Sequence, residues 1–309
     1  MKYSIGAAAV LVIAFLTALS GVNEYFFYAA FVVLQFMVLA TAWNILGGYA
    51  GYVNFGTAAF FAIGSYTAVV LFKWLGAPLM MQIAAAAAVS GLLGFGVGLL
   101  TLRLRGIFFA IATVAIIFIM ETVMMNWRYV GGATGLQLLR PDVLQPFASY
   151  TRMLFFVMAL LAVMAVSVAR YVQVSWIGRG LRAIRDSEEA AECSGVPTLK
   201  LKLFACTVSG ALMGAAGAPM PMYLSFIEPA SSFSLNYSVS ALAMPMIGGT
   251  VHWLGPVIGA LLLGSIQQIV TVTISSEINV LVIGVLLVLF VVFAPDGVLG
   301  LFRKFMRRS

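Results

Sequence analysis

Apolar residues run through this chain in long blocks parted by short polar breaks. Stretches such as Val280–Phe293 and Leu154–Ala169 show no alternation of apolar and polar residues. A transmembrane strand would instead alternate with period two over about ten residues. An α-helix rises about 1.5 Å per residue, so about 20 apolar residues cross a bilayer core with every backbone N–H bonded within the segment. The pattern predicts ten spans, over 4–21, 25–46, 53–74, 79–100, 107–126, 152–170, 203–223, 236–250, 256–274 and 279–295. The eighth is short and reads as broken or partly re-entrant. The third opens in a Gly-rich run and is expected to start irregularly. The first, with Lys2 before it and Ala18-Leu19-Ser20 at its end, has the outline of a secretory leader. Later spans make cleavage unnecessary, and a retained helix is expected.

Composition strengthens this picture. The 309 residues are 63% hydrophobic and 9% charged, with mean hydropathy +1.08. A soluble domain is about half apolar and a quarter charged, so the chain has too little polar surface to be one. The expected fold class is all-α, a polytopic transmembrane helical bundle of about ten spans, forming one domain over residues 1–309.

Charge sets the orientation. With the N-terminus in the cytoplasm, alternation puts Lys2, Arg103, Arg105, Arg170, Arg179, Arg182, Arg185, Lys200, Lys202, Arg303, Lys304, Arg307 and Arg308 inside. Only Lys73, Arg128, Arg140 and Arg152 fall outside. This asymmetry favours cytoplasmic termini. The net charge of +7 is spread over several loops, which is a topology signal and not a nucleic-acid footprint. Cys193 and Cys206 suggest no disulfide, and no Cys/His cluster has metal-ligand spacing. The largest outer loop, about 127–151, holds Gly131, Gly132, Gly135, Pro141 and Pro146 and reads as an ordered, turn-rich cap with a short helix. Gly94/Gly98, Gly210/Gly214 and Gly255/Gly259 each stand four apart, a spacing that lets a neighbouring helix approach one face. Pro219, Pro221 and Pro245 are expected to kink or break their helices.

One segment departs from this apolar background. Residues 178–197, GRGLRAIRDSEEAAECSGVP, carry seven charges. Asp186 begins D-S-E-E, so its carboxylate can cap the Glu189 N–H while Glu189 reaches back. Glu188 and Glu189 suit the positive end of the helix dipole. Gly195 can take a left-handed closing conformation and Pro197 stops the helix. A short cytoplasmic helix over about 187–194 follows. A second piece is expected before it, with Leu181 and Ile184 on one side. If the two are continuous, Arg185 pairs with Glu188 or Glu189. The segment can be a solvated loop whose charges only fix topology. Alternatively, the small face of Ala190 and Ala191, rimmed by charge, enters a partner's groove.

LRAIRDSEEAAECSGV resembles the cytoplasmic coupling loop of membrane subunits of bacterial ABC importers, with Glu189, Ala190, Ala191 and Gly195 on its E-A-A-x3-G core. Other stretches resemble branched-chain amino acid permeases: AWNILGGYAGYVNFGTAAFFAIGSYTA (42–68), TLRLRGIFFAIAT (101–113), GGATGL (131–136), IGGTVHWLGPVIGA (247–260) and FAPDGVLGL (293–301). The chain differs from that pattern at Asn54, where a small hydroxyl residue is frequent, at Thr57, where His is, and at Val251-His252, where Gly then Ser or Thr is common. The resemblance implies a permease subunit of an ATP-driven importer of branched-chain or other hydrophobic amino acids in the bacterial inner membrane. It implies a coupling loop over about 171–202 that meets an ATPase subunit through Arg182, Arg185, Asp186, Glu188, Glu189, Ala190, Ala191 and Gly195. The implied partners are a sister permease, two cytoplasmic ATP-binding subunits and an extracytoplasmic substrate-binding protein.

The chain has no G-x4-G-K-[ST] phosphate loop. ATP and Mg are therefore expected on the partner subunits, with no cofactor or metal on this chain and no catalytic residue of its own. Glu121 is the one acid within a span, about 7–8 Å from its outer end by helix rise. It could meet a substrate ammonium or pair with Arg128. Asn54, Thr57, Thr113, Glu121 and Met244 are the candidates for a substrate path. An ion-coupled secondary amino-acid transporter and an ABC permease for urea or short amides are the competing readings.

Overall fold

In the computed structural model of the protein, residues 2–20, 23–139, 147–273, 276–293 and 297–300 are described. Ten helices answer to the ten apolar blocks. They are α1 (Lys2–Leu19), α2 (Glu24–Ala50), α3 (Thr57–Leu75), α4 (Leu79–Thr101), α5 (Ile107–Asn126), α6 (Tyr150–Val174), α9 (Thr198–Gly217), α12 (Leu235–Gly248), α13 (Leu254–Thr273) and α14 (Ser276–Phe293). Between them lie α7 (Trp176–Asp186), α8 (Glu188–Cys193), α10 (Met220–Leu224) and α11 (Pro229–Ser232). Among the described residues, seven helices can cross a membrane by length and composition, one of them α9 continued through α10 to Leu224. The apolar segments Tyr3–Leu19 and Leu281–Phe290 are shorter. The 14 residues of α12 span only about 21 Å, less than the roughly 30 Å of a bilayer core. This is the short eighth span, with Pro245 inside it.

Helix ends follow local chemistry. α2 stops where Gly51 turns left-handed (φ 77°), its N–H closing on Leu46 O. Six residues then run without helix before α3 begins at Thr57, which is the irregular start expected there. Ser149 caps α6 by accepting from Arg152 N. Pro219 follows the end of α9, and α10 resumes at Met220.

The centre of the bundle is α2, packed against α6, α9, α12 and α13. Of its most apolar 18-residue window 72% is buried, against 22% for α5, which lies at the periphery. The spaced glycines mark the tightest crossings. A Cβ built on Gly94 would lie 2.8 Å from Cys206 O, and one on Gly210 would lie 2.9 Å from Ser90 O, so α4 and α9 touch backbone to backbone. At the second crossing Gly259 faces Met244 O and Gly255 faces Gly249 O. The α12–α13 turn can form only without side chains there.

The two ends of the bundle differ. At one, Arg128–Val130 and Gly132–Thr134 form 3-10 turns, and the strand Leu136–Gln137 pairs antiparallel with Phe226–Ile227. Here Lys73 Nζ donates to Tyr129 O (2.8 Å). Arg152 binds Glu24 (2.8 Å) and Ser20 O (2.8 Å), tying α6 to the α1–α2 link. The expected cap is therefore ordered over 127–139, while 140–146 lie outside the described residues. At the other end lie α7, α8, the α2–α3 break, the α4–α5 link and the α12–α13 turn. Arg170 stacks there on Tyr3 (4.0 Å) and Trp253 (5.7 Å), holding the start of α1 against α6. Connectivity puts nine of the described Lys and Arg residues at this end and three at the cap end. Arg140, Arg303, Lys304, Arg307 and Arg308 lie outside the described residues.

Candidate functional site

The polar island folds as two helices joined at a break. α7 is amphipathic, burying Gly178, Leu181 and Ile184 against the bundle. Ser187 is extended (φ −162°, ψ 111°), and its hydroxyl accepts from Ala190 N at 3.3 Å. The cap of α8 is therefore Ser187, not Asp186. Asp186 is the last residue of α7, one position before the cap. Glu189 does not reach back to close a capping box. Its carboxylate accepts from Arg105 Nη1 at 3.0 Å. The far end forms as expected: Gly195 is left-handed (φ 78°), with Val196 N bonded to Ala191 O (3.0 Å). Thr198 Oγ1 donates to Glu192 Oε1 (2.7 Å), locking the turn into α9.

The break at Ser187 also redirects Arg185. The expected pairing with Glu188 or Glu189 needs an unbroken helix. Arg185 Nη1 instead donates to Gly48 O (2.7 Å), a carbonyl in the last turn of α2. Its stem lies over Gly51, where a Cβ would come within 3.2 Å of Arg185 Cγ. Arg182 Nε turns back to Gly178 O (3.2 Å). Ala191 is 4% exposed and belongs to the protein's own core. The small face open to a partner is therefore Ala190, flanked by Glu189, Cys193 and Ser194, and not the Ala190–Ala191 pair.

Glu188 faces inward and gathers three residues that sequence reasoning missed. Its Oε1 accepts from Lys202 Nζ (2.5 Å) and its Oε2 from Tyr52 Oη (2.5 Å). Lys202 Nζ also donates to Tyr52 Oη (3.0 Å) and Leu102 O (3.2 Å). Arg105 Nε stands 3.9 Å from Glu188 Oε2. Burial pushes the Glu188 carboxyl upward, but hydrogen bonds from Lys202 and Tyr52 and the charges of Lys202 and Arg105 more than reverse this and hold it below its ordinary range. Burial first, then the Glu188 carboxylate, push the Tyr52 hydroxyl upward, which keeps it a donor. Lys202 is 3% exposed. A buried ammonium with no counter-charge costs several kcal/mol, so Glu188 is its required partner. A signal existed in the sequence: Lys202 follows Lys200 in the first turn and a half of an apolar helix, where only one of the two can reach water.

The substrate-path candidates divide into two groups. Asn54, Thr57 and Thr113 meet at the α2–α3 break. Asn54 Oδ1 accepts from Gly56 N (2.7 Å), and Thr113 Oγ1 accepts from Phe55 N (3.1 Å). Trp43 Nε1 donates to Asn54 O (2.7 Å). These groups satisfy the backbone that the missing helical turn leaves free. The Thr57 hydroxyl is buried there with no hydrogen-bond partner among the described residues. Met244 is fully buried in α12, its carbonyl against Gly259, where it serves the α12–α13 crossing. Glu121 lies about 12 Å beyond Thr113 along α5. Among the described residues it makes no ion pair, so the expected pair with Arg128 does not form.

The α2–α3 break and the α7–α8 pair are thus tied together at one end of an apolar bundle. A family model, branched-chain amino acid transport system / permease component, matches residues 25–291. The chain belongs to this permease family. The matched region takes in α2 through most of α14, and so the break, the island and the glycine crossings. The chain is 28% identical to the high-affinity branched-chain amino acid transport system permease protein LivM of Salmonella typhimurium, over 87% of this chain and 68% of that one. It is 26% identical to LivM of Escherichia coli K12, with the same coverage. A probable branched-chain amino acid transport permease, LivH of Methanocaldococcus jannaschii, is 24% identical over 82% of this chain and 85% of its own length. No solved structure matches the chain. As a family member the protein is a membrane permease, and its long apolar helices suit that role.

Proposed function

We propose that this permease is a membrane subunit of an ATP-driven importer. It moves branched-chain or other hydrophobic amino acids across the inner membrane, with ATP and Mg on separate cytoplasmic subunits. The observation that carries the reading is the α7–α8 segment. It is held to α2, the break, the α4–α5 link and α9 from within, while Glu189 and Ala190 face outward. A segment anchored on every inner side and small on its outer side suits insertion into a partner. The family match and the excess of Lys and Arg at this end support placing it in the cytoplasm. The sister permease and the extracytoplasmic binding protein complete the assembly. The LivM and LivH relatives favour a branched-chain amino acid over urea or a short amide as substrate.

The test is uptake in membrane vesicles. Uptake is expected to survive collapse of proton and sodium gradients and to stop when ATP is depleted. The opposite pattern would overturn the proposal in favour of an ion-coupled carrier. Purified from its native membrane, the protein is expected to bring ATP-binding subunits with it, and Ala190→Asp is expected to lose them.

A further inference from the structure

If α8 docks on an ATP-binding subunit, as proposed above, a push on its outer face must still reach the spans. Glu188 is the first residue of α8 and is shared between two unlike supports. Lys202 stands on α9, which is locked against α4 backbone to backbone at Gly94 and Gly210. It is a fixed post. Tyr52 stands in the six-residue break, outside any helix. Its ring meets buried Phe109 edge-on at 5.2 Å. A cleft of about 270 Å³ opens beside it, lined by Gly51, Tyr52, Val53, Gly106, Ile107 and Ala110. The break therefore has room to move, and the Tyr52 hydroxyl ties it to α8.

We propose that Tyr52 and Lys202 are positioning residues that transmit movement of α8 to the α2–α3 break. Glu188 bonds to both, so displacing α8 either carries Tyr52 and the break toward the cleft or pulls Glu188 off Lys202. Movement of Tyr52 changes the chain path at Asn54 and Thr57, where the break meets the bundle interior. Arg185 on Gly48 O is a second tie from the same segment to the end of α2.

The experiment uses the complete complex with its sister permease, ATP-binding subunits and binding protein, reconstituted in lipid vesicles. ATP hydrolysis and leucine uptake are measured on the same vesicles. In Tyr52→Phe and in the double variant Tyr52→Phe/Lys202→Met, the ATP-binding subunits are expected to stay bound, with hydrolysis within about twofold of the parent. Uptake per ATP is expected to fall about tenfold, within the usual range for coupling between sites. A second readout is ATP-dependent maleimide labelling at Val53→Cys in a Cys193→Ser background. The labelling rate is expected to change with ATP in the parent and to stop responding in Tyr52→Phe. An unchanged ratio and an unchanged labelling response overturn the proposal. If the double variant does not fold, Tyr52→Phe decides alone, since it removes one oxygen. Loss of the ATP-binding subunits in Ala190→Asp, with an unaffected ratio in Tyr52→Phe, overturns transmission and leaves docking standing. Retention of those subunits with full uptake in Ala190→Asp overturns the docking reading itself.

Discussion

Glu188→Leu removes the counter-charge of an ammonium that has almost no water. The Lys202 side chain is 4% exposed and the Glu188 side chain 13%. After the substitution Lys202 Nζ keeps only Tyr52 Oη and Leu102 O. Breaking a buried pair from one side costs about 3–5 kcal/mol, because the remaining charge stays desolvated. Lys202→Met is expected to cost less, about 2–3 kcal/mol, since the Glu188 carboxylate keeps its bond from Tyr52. Replacing both by apolar groups of similar volume is expected to return stability to within about 1 kcal/mol of the parent. The assay is unfolding of the purified protein in detergent, followed by tryptophan fluorescence, over the four members of this cycle. The sign of the pH dependence follows from the lowered carboxyl. The Glu188 contribution is present above the ordinary carboxylate value of 4.5 and is lost as pH falls through the lower folded value. The gap between the parent and Glu188→Leu should therefore be full at pH 7 and narrow progressively as the pH falls below 4.5. A double variant as unstable as the sum of the two singles would refute the pair.

Three further outcomes are expected. Gly195 is left-handed with open space around its α-carbon, so Gly195→Val carries backbone strain of about 1–2 kcal/mol without a clash. It should loosen α8 and reduce recovery of the ATP-binding subunits, whereas Gly195→Asn should keep most of it. Gly259→Val drives a side chain into Met244 O, which cannot yield without parting α12 from α13; the yield of folded protein should fall sharply, measured by size-exclusion chromatography after detergent extraction. Glu121→Gln breaks no ion pair among the described residues, so the unfolding midpoint should move by no more than about 0.5 kcal/mol. A fall in uptake with unchanged stability would place Glu121 on the substrate path.

The ten helices were legible because burial and membrane insertion act on residue type and period, whatever the neighbours are. Their ends were less so. α2 continues to Ala50 and α9 starts at Thr198, several residues outside the apolar blocks, because hydrogen-bonded turns run on into polar sequence until Gly51 or Pro197 stops them. The glycine pairs showed which faces would be approached, but not that Gly94 meets Cys206 or that Gly259 meets Met244.

The polar island shows most clearly where sequence reasoning stops. Its charges, its closing Gly195 and the need for a short helix could be read locally, since each depends on residues within one turn. That Ser187 rather than Asp186 caps α8 turns on one residue's backbone angles. That Arg185 binds Gly48, that Ala191 faces the core, and that Glu188 joins Tyr52 to Lys202 depend on residues brought together from distant parts of the chain. By itself the sequence determined an apolar helical bundle with a capped polar helix at one end. Only the tertiary structure decided which of that helix's groups face a partner and which hold the break. Hydrogen bonds and ion pairs need partners within about 3 Å, and those positions come from how α2, α4 and α9 pack.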